Sequence, residues 1–155
     1  MGPLVICLLV HHVAVQLVPS PWICPDFTTL GLVLTIARRP SSWWLASIVT
    51  GLWLMVWAIR FPVWVALASF GCGAFIRAAA GPWDLADSRV QGLVVSAASA
   101  GLTVTGLWLD AHLSPLLLGM AALRVALTVL SLPLAQAIQR LPSHVRSAKL
   151  LRPRA

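Results

Sequence analysis

The chain has 155 residues, 59% hydrophobic and only 10% charged, with a mean hydropathy of +0.91 and a net charge of +7. Ordinary soluble domains carry about 25% charged residues, so a soluble fold of this length lacks the polar side chains to cover its surface. Disorder is excluded for the opposite reason, because the chain is far too apolar.

What remains is an all-α integral membrane protein. A spanning helix needs about 20 apolar residues, so the length allows a bundle of five or six transmembrane helices joined by short loops. The apolar residues come in runs rather than in alternation, which argues against a membrane β-barrel. The basic residues sit mostly at segment ends, and five of the eleven are Arg140, Arg146, Lys149, Arg152 and Arg154. That distribution reads as membrane topology, and no nucleic-acid partner is expected.

The first apolar segment runs from Pro3 to Val18. No Lys or Arg precedes it and no small-residue cleavage pattern follows, so it reads as a first span and not as a secretory leader. His11 and His12 lie near its middle. The stretch from Pro19 to Asp26 contains three prolines and is a loop, with Trp22 placed as an interfacial anchor. The second segment, Phe27 to Ala37, has only 11 residues. It is either tilted, re-entrant, or preceded by a loop that itself enters the bilayer. Arg38-Arg39-Pro40-Ser41-Ser42 forms a basic turn.

A third span follows from Trp43 to Ile59, ended by Arg60-Phe61-Pro62, and a fourth from Val63 to Ala79. The longest internal loop, Gly81 to Arg89, leads to a fifth span from Val90 to Leu109. A tight loop, Asp110 to Ser114, precedes the sixth, Pro115 to Ile138, where Pro115 suits the first helical turn. Residues 1–140 form the transmembrane domain, and residues 141–155 form a basic tail without acidic residues that is expected to adhere to anionic membrane lipid.

Six spans place both termini on one side. With the N-terminus cytoplasmic, the inner segments carry nine basic residues and the outer ones only Arg60. This asymmetry supports an N-in, C-in arrangement independently of hydropathy.

No catalytic set stands out among the few polar groups, and the protein is expected to be no enzyme and to hold no cofactor or metal. Of the four acidic residues Asp26, Asp84, Asp87 and Asp110, only Asp84 and Asp87 share a loop, where they suit the capping of the fifth span. His11 and His12 invite a haem or metal reading. Adjacent side chains point about 100° apart on a helix, however, and His112 and His144 fall in a loop and in the tail, so a polar contact inside the bundle is expected. Cys7, Cys24 and Cys72 are widely separated and contain no CxxC pair.

Arg124 is the exception. It is the tenth residue of a 24-residue segment, where a charge costs at least about 2.5 kcal/mol. The outer interface is about 13 Å away by helix rise, too far for the side chain to snorkel. Asp26, opening the second span from the outer side, is the expected counter-charge, although a gap of a turn or two in depth separates the two. Gly92, Ser96 and Ala100 in the fifth span, and Ser69 and Gly73 in the fourth, form small-residue faces expected to pack internally. Of the eight tryptophans, Trp22, Trp43, Trp44, Trp64, Trp83 and Trp108 fall near span ends as an aromatic belt would, while Trp53 and Trp57 lie deeper.

In this layout, roughly residues 10 to 140 resemble the MreD family of bacterial rod shape-determining membrane proteins. Pro25-Asp26 opens the second span, Arg38-Arg39-Pro40 follows as a basic turn, and Gly51-Leu52 lies in the third. An Asp often found soon after the Gly-Leu in that family is replaced here by Leu54, Met55 and Val56 following Trp53. The resemblance implies a non-enzymatic scaffold subunit of the cell-elongation machinery in the bacterial inner membrane. Its partners would be MreC, the actin-like MreB, and the glycan polymerase and transpeptidase of lateral wall synthesis. The family's fold is also similar to the substrate-binding subunits of energy-coupling-factor vitamin importers, so a small-molecule-binding transporter subunit is the rival reading. Transporters place polar groups at the midplane, where His11, His12, Gln16 and Arg124 are the candidates.

Overall fold

The computed structural model describes residues 2–18, 23–58, 61–85, 87–110 and 114–137, without the side chains of Trp57 and Asp110. The described residues form α1 (Gly2–Leu17), α2 (Phe27–Arg38), a single 3-10 turn (Pro40–Ser42), α3 (Trp43–Trp57), α4 (Pro62–Ala79), α5 (Ser88–Asp110) and α6 (Pro115–Leu130), with no strand among them. Helix resumes after a turn at Ser131 and runs to residue 137. Three helical stretches are long and apolar enough to cross a membrane: Pro62–Ala79, Ser88–Leu109 and Pro115–Ala137. The first three helices are shorter, at 16, 12 and 15 residues. The basic tail, Trp22, Arg60, His112 and His144 lie outside the described residues.

The shortest helix is the innermost. In α2 every residue from Thr28 to Ile36 is buried, and α1, α3, α4 and α5 all pack on it. Its composition explains this position. Phe27 to Ala37 carries no charge, and its apolar and hydroxyl side chains cover the whole circumference; a helix without a polar face belongs inside. Its one glycine lets α1 come close: a Cβ on Gly31 would stand 2.8 Å from Cys7 Cβ and 3.3 Å from Leu4 Cα.

The most extensive helix contact joins α3 to α4. Here a Cβ on Gly51 would meet the Ala66 Cα at 3.3 Å, and one on Gly73 would overlap the Ser47 hydroxyl. Lipid tails are as apolar as the side chains themselves, so such close approach is what holds membrane helices together. The α3–α4 connection ends at Phe61, whose φ of 51° is left-handed. That conformation is unfavourable for a bulky residue, and Phe61 adopts it as the N-cap of α4, directly before Pro62.

Ser69 and Gly73 are buried as expected of a packing face. The corresponding expectation for α5 needs correction. Gly92, Ser96 and Ala100 are only half-buried, and a Cβ on Gly92 would meet nothing within 4 Å. The inward face of α5 is instead Gln91, Val94, Val95, Ala98, Ser99, Thr103 and Leu107. Close approach is supplied by glycines on α2, α3 and α4, whereas the buried face of α5 mixes small residues, Ala98 and Ser99, with larger ones.

Candidate polar site in the helix bundle

The site begins where α2 begins. Cys24 is fully buried and Asp26 is 1% exposed, so the chain is already inside the bundle when α2 starts. Depth arithmetic agrees. Along α2 the rise from Arg38 to Phe27 is about 17 Å, and Arg124 lies about 13 Å along α6 from Pro115, at 1.5 Å per residue. The two lengths together make about 30 Å, matching the roughly 30 Å of a bilayer's hydrocarbon core. The gap in depth foreseen between Asp26 and Arg124 is closed in this way: the first turn of α2 lies level with Arg124.

Asp26 is the N-cap of α2, and its Oδ1 accepts the Thr29 amide at 3.1 Å. The Thr28 hydroxyl donates to Oδ1 and the Thr29 hydroxyl to Oδ2. The Asp26 amide in turn donates to the Thr128 hydroxyl on α6 at 2.7 Å, and that hydroxyl donates to the Arg124 carbonyl at 2.7 Å. Arg124 Nη2 stands 4.0 Å from Asp26 Oδ1, with the two side chains 16% and 2% exposed. Two links therefore join α2 to α6, one neutral through Thr128 and one ionic through Arg124. Ala121, Arg124, Thr128, Leu132 and Ala135 recur at helical spacing, which puts Arg124 on the inward face of its helix.

His11 is buried beside this cluster, against the Pro25 carbonyl, with Nδ1 unpartnered. His12 points elsewhere and meets the Trp53 ring edge-on at a centroid distance of 6.1 Å. Among the described residues no group of three His, Cys, Asp or Glu is arranged to hold a metal ion. Asp87 accepts the Arg89 amide at 2.8 Å and its carbonyl accepts the Gln91 amide at 2.9 Å, the capping role foreseen for that loop. Asp84 is exposed. Trp44, Trp64, Trp83 and Trp108 are each at least half exposed at or near helix ends, while Trp43 leans on Phe70 at 5.2 Å.

Several contributors were not singled out in the sequence. Thr28, Thr29 and Thr128 complete the Asp26 cluster, and the signal was present in the sequence as hydroxyls two and three residues after an Asp at a helix start. A second polar lock lies near the other end of the bundle, where Gln136 Nε2 donates to Gln91 Oε1 at 2.6 Å and Gln91 donates to the Leu85 carbonyl.

Beside Arg124 lies a cavity of about 220 Å³, walled by residues of α3, α4, α5 and α6 and floored by Asp26 and Thr28. It lies toward the end of the bundle where α3 connects to α4 and α5 to α6. It lies at the level where α2 begins, and among the described residues no helix continues α2 beyond that level.

No family model, no curated protein and no solved structure matches this chain.

Proposed function

We propose that this protein is a polytopic scaffold subunit of the bacterial cell-elongation machinery in the inner membrane, MreD-like, with six membrane segments and both termini cytoplasmic. One observation carries the reading: the segment on which the resemblance rests, Pro25-Asp26 opening a short apolar helix, is the structural centre of the molecule. Asp26 caps α2, gathers Thr28 and Thr29, and faces Arg124. Its carboxylate is engaged by helix-capping and hydroxyl donors, which suits a load on architecture rather than on chemistry. The nine-to-one basic asymmetry supports the N-in, C-in arrangement. Broad apolar flanks, among them Leu116, Leu123, Leu130 and Leu134 on the last helix, remain exposed for lipid or for partner helices.

The test is affinity purification of the tagged full chain in mild detergent, with mass spectrometry of what accompanies it. Recovery of MreC, MreB and the glycan polymerase and transpeptidase of wall elongation is the expected result. Recovery of an ATPase energy-coupling module in their place would overturn the scaffold reading and establish the importer one.

A further inference from the structure

A groove of about 310 Å³ lies between α1, α2 and the last helical stretch, and it shares no residue with the cavity beside Arg124. Packing explains its position. α1 packs chiefly on α2, and α6 chiefly on α5, so a space is left between α1 and the last helix, over α2. Pro133 has no amide to donate, and the last helix is interrupted by a turn at Ser131, beside the groove. Cys7 and Ala135 are buried at its base, while Ile6, Val10 and Leu134 stand exposed along its rim. From Gly2 to Val10 it follows α1 for about 12 Å, at 1.5 Å per residue.

The groove is apolar along its length and charged at one end. Gly31 on α2 stands against Leu4 and Cys7 on α1. Counting along the two helices from that crossing puts Phe27 level with Val10, and Arg38 near Gly2. Arg38, the last residue of α2, is exposed and lines the groove at that end. No acidic residue lines it. The Ser131 hydroxyl is turned away onto the Leu127 carbonyl at 2.8 Å.

We infer that this groove holds one acyl chain of an anionic glycerophospholipid, with the lipid phosphate against Arg38. Charge complementarity selects the occupant. An apolar channel that ends at an exposed cation matches a molecule with an apolar chain and an anionic head. A guanidinium has five N–H donors and can serve a phosphate together with a partner inside the protein. A zwitterionic lipid brings its own ammonium group, which competes with Arg38 for the same phosphate. Arg39 supplies the contrast, because it is next in sequence and exposed but does not line the groove. In the N-in arrangement this end of the bundle faces the cytoplasmic leaflet, whose surface is negative. The binding itself does not require the scaffold role.

The experiment is native mass spectrometry of the full chain, released from detergent micelles that carry equal amounts of phosphatidylglycerol and phosphatidylethanolamine with the same acyl chains. The expected result is one phosphatidylglycerol retained under activation that strips phosphatidylethanolamine. Arg38→Gln should lower the preference for phosphatidylglycerol about fivefold, the worth of one basic residue beside anionic lipid, and Arg39→Gln should leave it unchanged. Ile6→Trp fills the groove and should lower the retention of both lipids. The inference is overturned if the two lipids are retained equally, or if neither is retained. It is also overturned if the two arginine substitutions act alike, since the basic turn would then attract lipid only as a charged surface. Wild-type retention by the Ile6→Trp protein would place the acyl chain elsewhere and overturn it too. So would a lipid-free dimer, since a second copy of the chain would then cover the groove.

Discussion

Asp26 does four things at once with one carboxyl group. It caps a helix, accepts two threonine hydroxyls and stands opposite a half-buried cation. Its substitutions therefore separate by chemistry. Asparagine is also a good N-cap and keeps an acceptor oxygen, so Asp26→Asn should lose chiefly the ionic part. Alanine loses everything and leaves Arg124 uncompensated, so Asp26→Ala should cost about 3 kcal/mol or more. The ion pair itself is worth less. At 4.0 Å it is long, and interhelical polar pairs in membranes average about 0.6 kcal/mol. In a cycle of Asp26→Asn, Arg124→Leu and the double variant, unfolding in detergent should show a coupling of about 1 kcal/mol, with the double less damaged than the sum. Strict additivity would show that Thr128, and not Arg124, ties α2 to α6. Arg124 could be singled out from hydropathy alone because a mid-span charge is locally anomalous. Thr128 could not, because threonine is unremarkable in a membrane helix and only its contact with the Asp26 amide sets it apart.

Among the helices, α2 shows how length and burial part company. Its 12 residues are too few to span a bilayer unaided, yet it is the helix most enclosed by others. Four glycines illustrate the same distinction between pattern and packing. Gly31, Gly51 and Gly73 sit at crossings, whereas Gly92, which belongs to the most regular small-residue series in the sequence, faces open space. Substitution should sort them accordingly. Gly31→Ala forces a methyl group against Cys7 and should destabilise by about 1–3 kcal/mol. Gly92→Ala adds a better helix former where nothing obstructs it and should be neutral or stabilising by up to about 1 kcal/mol. Thermal unfolding of the two variants in the same detergent compares them directly; equal losses at both positions would mean that α5 packs through its small-residue face after all. Spacing identifies which residues share a helix face, but not which face the neighbouring helices cover.

For the molecule as a whole, helix length and charge distribution speak to different questions. Three helical stretches are long enough to cross on their own, while the basic residues alternate as six crossings would require. The two agree if α1, α2 and α3 cross as a packed group whose depth is shared between helices and the connecting chain, with non-helical backbone buried in protein. Cys24, fully buried just before α2, is chain of that kind. Reporter fusions at Ala155 and at Ala86 should then both signal cytoplasm, and one at Ala111 the outside. A cytoplasmic signal at Ala111 would rule out six crossings.

The amino-acid sequence by itself determined the membrane as solvent, the helical class, the start of each helix to within a residue or two, and the need of Arg124 for a partner. Each of these follows from costs that are local to a residue or add along the chain: apolar transfer, proline and capping at helix starts, the desolvation of one charge. Tertiary structure decided which helix is central, how deep Asp26 lies, which side of α5 turns inward, and that a cavity remains above the first turn of α2. Those depend on where each helix begins relative to its neighbours. That offset is set by how closely glycine-bearing surfaces approach one another, and no single segment carries it.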